Sequence, residues 1–199
     1  MDSRERLKQI LLSRCLKVGR FRLASGRRSH YYLDLKQATL EAEGAYLSAL
    51  LILEELRRRE VSAAAIGGLS LGADPIVAAV AAVSFAHRSR FDPIDAFIVR
   101  KRPKSHGTRR YLEGYQGPEG SPVVVVDDVC TTGGSAQKAI VQAEAEGYRV
   151  AAVISIVDRE EGAAGNLASY RYFSLFRASE LLADPGVRRR IDALSEPSC

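Results

Sequence analysis

Four β-branched valines in a row, Val123 to Val126, run directly into Asp127 and Asp128, and this order limits the fold more than anything else in the chain. A run with no polar alternate has no face to offer water, so it needs cover on both sides, as in the interior of a parallel sheet. Two acids at the carboxyl end of such a strand fall where open α/β sheets bind ligands. Thr131, Thr132, Gly133, Gly134 and Ser135 follow, all small or hydroxyl-bearing, so backbone N–H groups can close on an anion without side-chain obstruction. The helix-forming stretch from Ala136 to Ala145 then brings unpaired N–H groups and a positive dipole end to the same place. Carboxylates cannot favour a phosphate by charge, so the two acids are assigned to sugar hydroxyls, which donate to anionic acceptors. An ordinary strand, turn and capped helix would account for the glycines and hydroxyls, but not for both acids.

The segment is neither a nucleotide-triphosphate P-loop nor a dinucleotide fingerprint. No Lys-Ser/Thr pair follows the glycines, and the G-x-G-x-x-G spacing is missing. Apolar spacing predicts a helix over 3–17 with Ser3 as N-cap, then short strands at Phe21–Leu23 and Tyr31–Leu35 around the turn-like Ala24–Ser29. A long helix capped by Thr39 is expected to reach Arg59. A strand at Ala63–Ile66 is expected to open into Gly67-Gly68, followed by a helix over 74–86 that tolerates Pro75 in its first turn. The remaining strands are expected at Asp95–Val99, at the valine run, at Val150–Val157 and at Tyr170–Phe176, with a loop over 101–120 and short helices near 178–183 and 186–194. Strands alternating with helices indicate an α/β fold with a mainly parallel sheet flanked by helices.

At 199 residues, with 46% hydrophobic and 27% charged residues, one globular domain covering 1–199 is expected. No apolar run approaches ~20 residues, and Asp2, Arg4, Glu5 and Arg6 occupy the place of a signal peptide's apolar stretch, so a cytoplasmic protein without a membrane partner is expected. Cys15, Cys130 and Cys199 are odd in number and far apart, which argues for free thiols and against a disulfide framework or a structural zinc site. Cys130 sits inside the loop, but no nucleophilic-triad partner is recognisable and an inert thiol is expected. Lys and Arg exceed Asp and Glu by 29 − 24 = 5, which suits a polyanionic ligand. Arg57-Arg58-Arg59 and Arg188-Arg189-Arg190 lie on helices, where such runs complement the dipole or stay solvated. Six Lys or Arg between 100 and 110, directly after a strand of the same sheet, are read instead as a functional cluster.

The run from Asp127 to Ser135 resembles the phosphoribosyl-pyrophosphate (PRPP) motif of type I phosphoribosyltransferases. Three further segments are similar to those of orotate phosphoribosyltransferases, in that family's order. Phe21 to Asp34 resembles the N-terminal hood, Val99 to Thr108 with Glu113-Gly114 resembles the mobile catalytic loop, and Val157-Asp158-Arg159-Glu160-Glu161 resembles the orotate-binding turn. The resemblance implies a type I phosphoribosyltransferase fold with a small hood over about 1–38 on a core over about 39–199. It implies transfer of phosphoribose from PRPP to orotate, giving orotidine 5′-monophosphate, with Mg²⁺ held mostly through PRPP and no metal ligand taken directly from the protein.

The site residues follow from the same motifs. Lys104, His106, Asp127 and Asp128 are implied as catalytic. Arg100, Lys101, Lys104, His106, Asp127, Asp128, Val129, Cys130, Thr131, Thr132, Gly133, Gly134 and Ser135 are implied to bind PRPP. Thr131, Arg159 and Tyr32 are implied to bind orotate, Arg159 by gripping its planar carboxylate with two hydrogen bonds. Ala24 and Leu71 stand where some members carry lysines, which shifts charge neutralisation onto the 100–106 cluster. A homodimer is expected, with loop 101–116 shared across the interface. A purine-type enzyme is disfavoured by Arg159, and a nucleic-acid-binding regulator of the same fold by the complete catalytic loop, so no nucleic-acid partner is expected.

Overall fold

A computed structural model describes residues 2–22, 26, 28–102 and 111–195. Six strands form one sheet in the order β5-β4-β3-β6-β7-β8: β3 (Ala65–Leu69), β4 (Asp95–Val99), β5 (Leu112–Gly114), β6 (Pro122–Cys130), β7 (Arg149–Asp158) and β8 (Tyr172–Arg177). All neighbours are parallel except β5, which runs antiparallel along β4 at the edge. A separate antiparallel ribbon is made by β1 (Leu16–Arg22) and β2 (Arg28–Leu33).

The valine run occupies the sheet's interior, and its side chains alternate between two cores. Val124 and Val126 belong to the core that holds α1 (Ser3–Ile10), α3 (Ala42–Arg58) and α4 (Asp74–Ala86). Val123 and Val125 belong to the other, under α5 (Gly134–Ala145). Each fully buried valine contributes about 1.5–3 kcal/mol, which holds β6 in register between β3 and β7. The strand extends through the acids to Cys130, with Asp127 opposite Ser155 and Cys130 opposite Asp158. Its carboxyl end is therefore carried by the β7 ladder alone, since the pairing with β3 stops at Val125.

Several boundaries differ from expectation for identifiable reasons. The first helix stops at Ile10 and widens into five π-helical residues, Leu11–Cys15, which keeps Leu7, Ile10, Leu11 and Cys15 all buried; Asp2 rather than Ser3 precedes it. Thr39 does not cap the long helix. It ends the short α2 (Lys36–Thr39) with its hydroxyl buried, and Glu41 caps α3 by accepting from the Gly44 N–H at 2.9 Å. Gly67 and Gly68 lie inside β3 rather than after it. A Cβ on Gly67 would stand 2.2 Å from the Phe97 ring, so glycine marks a close approach there and not a loop. Within the expected 101–120 loop, β5 was not anticipated, being three residues long and half polar. The ribbon begins at Leu16, before the expected Phe21, and α5 begins at Gly134, before the expected Ala136. The remaining short helices are α6 (Ala163–Asn166), α7 (Ala178–Leu182) and α8 (Pro185–Ser195), of which α6 had no sequence signal.

Candidate active site

The carboxyl ends of β3, β4, β6 and β7 meet at one edge of the sheet, and the loops that leave them supply the candidate residues. Asp127 is only 8% exposed, and burial first, then the neighbouring Asp128, pushes its carboxyl well above the usual aspartate range. Asp128 is half-buried and its Oδ1 accepts from the Val129 N–H at 2.9 Å. Gly72, in the loop after β3, lies against that carboxylate: a Cβ there would fall 2.6 Å from Oδ1. The glycine leaves the Asp128 oxygens free of a side chain from that quarter.

Beyond the acids, Gly133 adopts a left-handed φ of 86° and turns the chain into α5, whose first N–H groups face the loop. Thr131, Thr132, Gly134 and Ser135 are all at least partly accessible around this turn. Val129 and Cys130 are different, since both belong to β6 itself. The Val129 N–H is engaged by Asp128, and the Cys130 carbonyl accepts from the Arg159 N–H at 2.8 Å. Their place is to carry the acids and the turn. The Cys130 thiol is fully buried and pushed up to about 11 by that burial, so it stays protonated and is not a nucleophile.

Arg159 follows β7 directly and reaches back under the ribbon. Its side chain is 7% exposed, and its Nε lies 2.9 Å from Glu161 Oε1. The N–H is not aimed at that oxygen, so Nε is a buried donor without a hydrogen bond among the described residues. The guanidinium carbon stacks 4.8 Å from the centre of the Tyr31 ring. A cationic, planar and under-satisfied donor beside an aromatic face suits a planar carboxylate ligand.

The neighbouring Tyr32 points the other way. It is 41% exposed, packs 5.8 Å from the Phe21 ring, and lies near Lys36 rather than Arg159. Successive strand residues face opposite sides, and the register Val18 to Tyr31 and Lys17 to Tyr32 puts Tyr31, not Tyr32, over the guanidinium. Lys36 was missed in the sequence. Its ammonium is held 2.9 Å from Asp34, which raises its pKa, and Asp128 adds to the same shift. The Asp34-x-Lys36 spacing beside the paired tyrosines was the available signal.

Arg100 and Lys101 face the first turns of α5 across a cleft of about 750 Å³, which Tyr111, Ser135 and Lys138 also line. Arg100 is tied to β5 by Glu113 at 3.3 Å and by its own N–H to the Tyr111 carbonyl at 2.9 Å. Leu71, 71% exposed at the same edge, brings no charge there. Lys104, His106 and Ala24 lie outside the described residues. Among the described residues no group of three or more His, Cys, Asp and Glu could hold a metal ion, and no helix is long and apolar enough to cross a membrane.

Comparison with known proteins agrees with this geometry. No family model matches the chain. The orotate phosphoribosyltransferase of Aquifex aeolicus (strain VF5) is 44% identical over 187 residues, covering 92% of this chain and 99% of its own. The solved orotate phosphoribosyltransferase of Mycobacterium tuberculosis H37Rv in complex with Fe(III) dicitrate is 36% identical, with a TM-score of 0.78 over 90% of this chain and 99% of that one. A further structure of the M. tuberculosis enzyme, in complex with PRPP, is 34% identical with a TM-score of 0.75 over 90% of this chain and 99% of that one. Identity at this level over nearly the whole of both chains, on the same sheet, means that the chain belongs to the orotate phosphoribosyltransferase family.

Proposed function

We propose that the chain transfers the 5-phosphoribosyl group of PRPP to N1 of orotate, giving orotidine 5′-monophosphate and pyrophosphate, a step of pyrimidine (UMP) biosynthesis. The observation that carries this reading is the pairing of Cys130 with Asp158 in adjacent parallel strands. It sets a loop suited to ribose phosphate beside a buried guanidinium suited to a carboxylate, at one sheet edge. A purine base offers Arg159 no carboxylate and would leave its buried Nε–H, which makes no hydrogen bond to Glu161, without an acceptor.

In the transfer, the C1–O bond to pyrophosphate breaks as the bond from orotate N1 to C1 forms, and the N1 proton ends on the departing pyrophosphate. Positive charge develops on the ribose ring and negative charge on the departing oxygens. The Asp128 carboxylate accepts from the ribose hydroxyls and lies on the side where the ring becomes cationic, with Asp127 buried behind it. Thr131, Thr132, Gly133, Gly134 and Ser135 receive the 5-phosphate on N–H and hydroxyl donors. Arg100 and Lys101, joined by Lys104 and His106, take the charge of the leaving pyrophosphate. Arg159 fixes the orotate carboxylate, Thr131 borders the same pocket, and Tyr31 backs the guanidinium; Tyr32 is left at the rim.

Mg²⁺ is the ion assigned to this site. Among the described residues the Asp127–Asp128 oxygens and the loop hydroxyls would face it, and that donor set fits a hard ion that keeps several waters and takes most ligands from PRPP. When bound, it supplies neutralising charge at the pyrophosphate. The chain works as one cytoplasmic domain, a hood over about 1–38 on a core over about 39–199, without nucleic-acid or membrane partners. Its homodimer shares loop 101–116 between sites. Co-refolding Lys104→Ala with Asp128→Asn chains would then restore about one quarter of all sites, since half the dimers are mixed and each has one intact site. Activity no higher than the separate variants, with exchange confirmed by differently tagged chains, would place the loop in its own subunit's site.

The deciding assay follows depletion of orotate, hypoxanthine, adenine and uracil with PRPP and Mg²⁺. Orotate alone should be consumed, with turnover lost in EDTA and restored by Mg²⁺. Consumption of a purine in place of orotate overturns the assignment.

A further inference from the structure

The short helix α6 has no part in the chemistry described, yet its end touches the phosphate loop in two places and the helix after the loop in a third. The Asn166 Nδ2 donates to the Thr132 carbonyl at 2.9 Å, inside the loop itself. The Asn166 carbonyl accepts from Gln137 Nε2 at 3.1 Å, which fastens it to the first turn of α5. The next residue, Leu167, is fully buried beneath Gly133, and a Cβ on that glycine would meet it at 3.1 Å. The same helix continues directly from the Arg159 turn, where the Arg159 N–H holds the Cys130 carbonyl and the Glu160 N–H donates to Asp158 Oδ1 at 2.7 Å.

We infer that Asn166 is a positioning residue for PRPP: it fixes the Thr132 peptide so that the loop's N–H groups stay aimed at the 5-phosphate. The inference rests on the transferase reading above. The Thr132–Gly133 peptide sits where the chain enters its left-handed turn, so its orientation sets the direction of the donors that follow. A carbonyl held from outside by an amide N–H cannot rotate toward the ligand and repel it. Asn166 is exposed, and its side chain supports no core contact, so its removal should change loop order without unfolding the chain.

The test compares Asn166→Ala and Asn166→Asp with the parent enzyme. The amide supplies one neutral hydrogen bond, so Asn166→Ala should raise the PRPP KM by about three- to tenfold, with orotate KM within about twofold and Tm within about 2 °C. Asn166→Asp, isosteric but with an acceptor facing the Thr132 carbonyl, should be at least as damaging. Unchanged PRPP KM in the alanine variant, or an equal rise in both KM values with a fall in Tm, overturns the inference. The same variants are compared by calorimetric titration with PRPP, a binding readout that does not need turnover. A parent protein that binds PRPP but leaves orotate untouched would sink the orotate reading, and the calorimetric comparison would still decide the role of Asn166.

Discussion

The phosphate-loop segment and the N-terminal ribbon both face the candidate site, but the sheet constrains them very differently. Strand β6 is laddered on both edges and packed on both faces through its valines, and the β7 ladder continues past the acids to Cys130, so Asp127 and Asp128 sit inside a nine-residue strand anchored in the core. The ribbon has one ladder only, with a break in register between Val18 and Phe21, and most of its positions are partly or fully exposed. The difference teaches that residues which hold charge in place are built on the first kind of scaffold, and residues which cover the ligand on the second. Substitutions in β6 should then change chemistry without loosening the fold, whereas those in the ribbon should shift binding modestly.

The largest effect is expected at Asp128. Asp128→Asn keeps shape and packing but weakens the acceptor offered to the ribose hydroxyls and to the developing ring charge, so kcat/KM for PRPP should fall by about 100-fold. Asp127→Asn should lose turnover as well. Near-normal kcat/KM in both variants, with the far-UV spectrum unchanged, would remove the acids from the sugar site and break the comparison at its rigid end.

Arg159 comes next, because it joins the two regions. Arg159→Ala should raise orotate KM by about 10- to 100-fold, the range for a charged hydrogen-bonding group, while PRPP affinity changes little. Arg159→Lys should recover only part, since an ammonium cannot make the two-pronged contact or stack on Tyr31 in the same way. Equal damage to both substrates would mean that the guanidinium serves the packing of the ribbon and not the ligand.

How far the chain could be read from its sequence follows the same division. The valine strand, its acids and the helix after them were legible because each residue type matches an environment buried on both faces. The glycines of β3 misled, because glycine usually signals a loop, and only the Phe97 ring across the strand shows why it is needed there. Thr39 reads as the cap by residue type, but it belongs to α2, a single turn with no apolar period of its own, and Glu41 takes its place at α3. Asn166 carries no pattern at all: a polar residue on a four-residue helix reads as surface until its partner Thr132 is seen. The tyrosine pair was ambiguous for a simpler reason. Adjacent strand residues face opposite sides, and which side meets Arg159 depends on a register the sequence does not print.

That ambiguity gives a smaller test in the ribbon. A cation over an aromatic ring contributes roughly 0.5–2 kcal/mol, so Tyr31→Leu should raise orotate KM about three- to tenfold. Tyr32→Leu should change it by less than about threefold, as its ring packs on Phe21. Steady-state titration of orotate at saturating PRPP separates the two. The reverse order would return Tyr32 to the pocket and show that the ribbon shifts when substrate enters.

The smallest effect concerns stability, and it sharpens the comparison by separating the function of β6 from its packing. Burial and the adjacent Asp128 raise the folded-state pKa of Asp127 above its ordinary value of 3.8. As pH rises through 3.8, an unfolded chain releases this proton while the folded one retains it, so the unfolded state binds fewer protons and stability falls. The loss accumulates up to the raised folded value and is constant above it. Asp127→Asn removes that proton linkage, and its amide can donate to Asp128 as the protonated acid does. The variant should therefore melt above the parent at pH 8, by about 2–4 °C for each ~1 kcal/mol recovered in a chain of this length, and by much less at pH 4.5. Calorimetric scans of both proteins across that range, without substrate or metal, make the measurement. An equal Tm difference at both ends of the range would mean that the proton is not the cause. A variant that melts lower throughout would show that the carboxyl group itself contributes to packing in β6, so that the rigid scaffold and the chemistry it carries are not separable at this position.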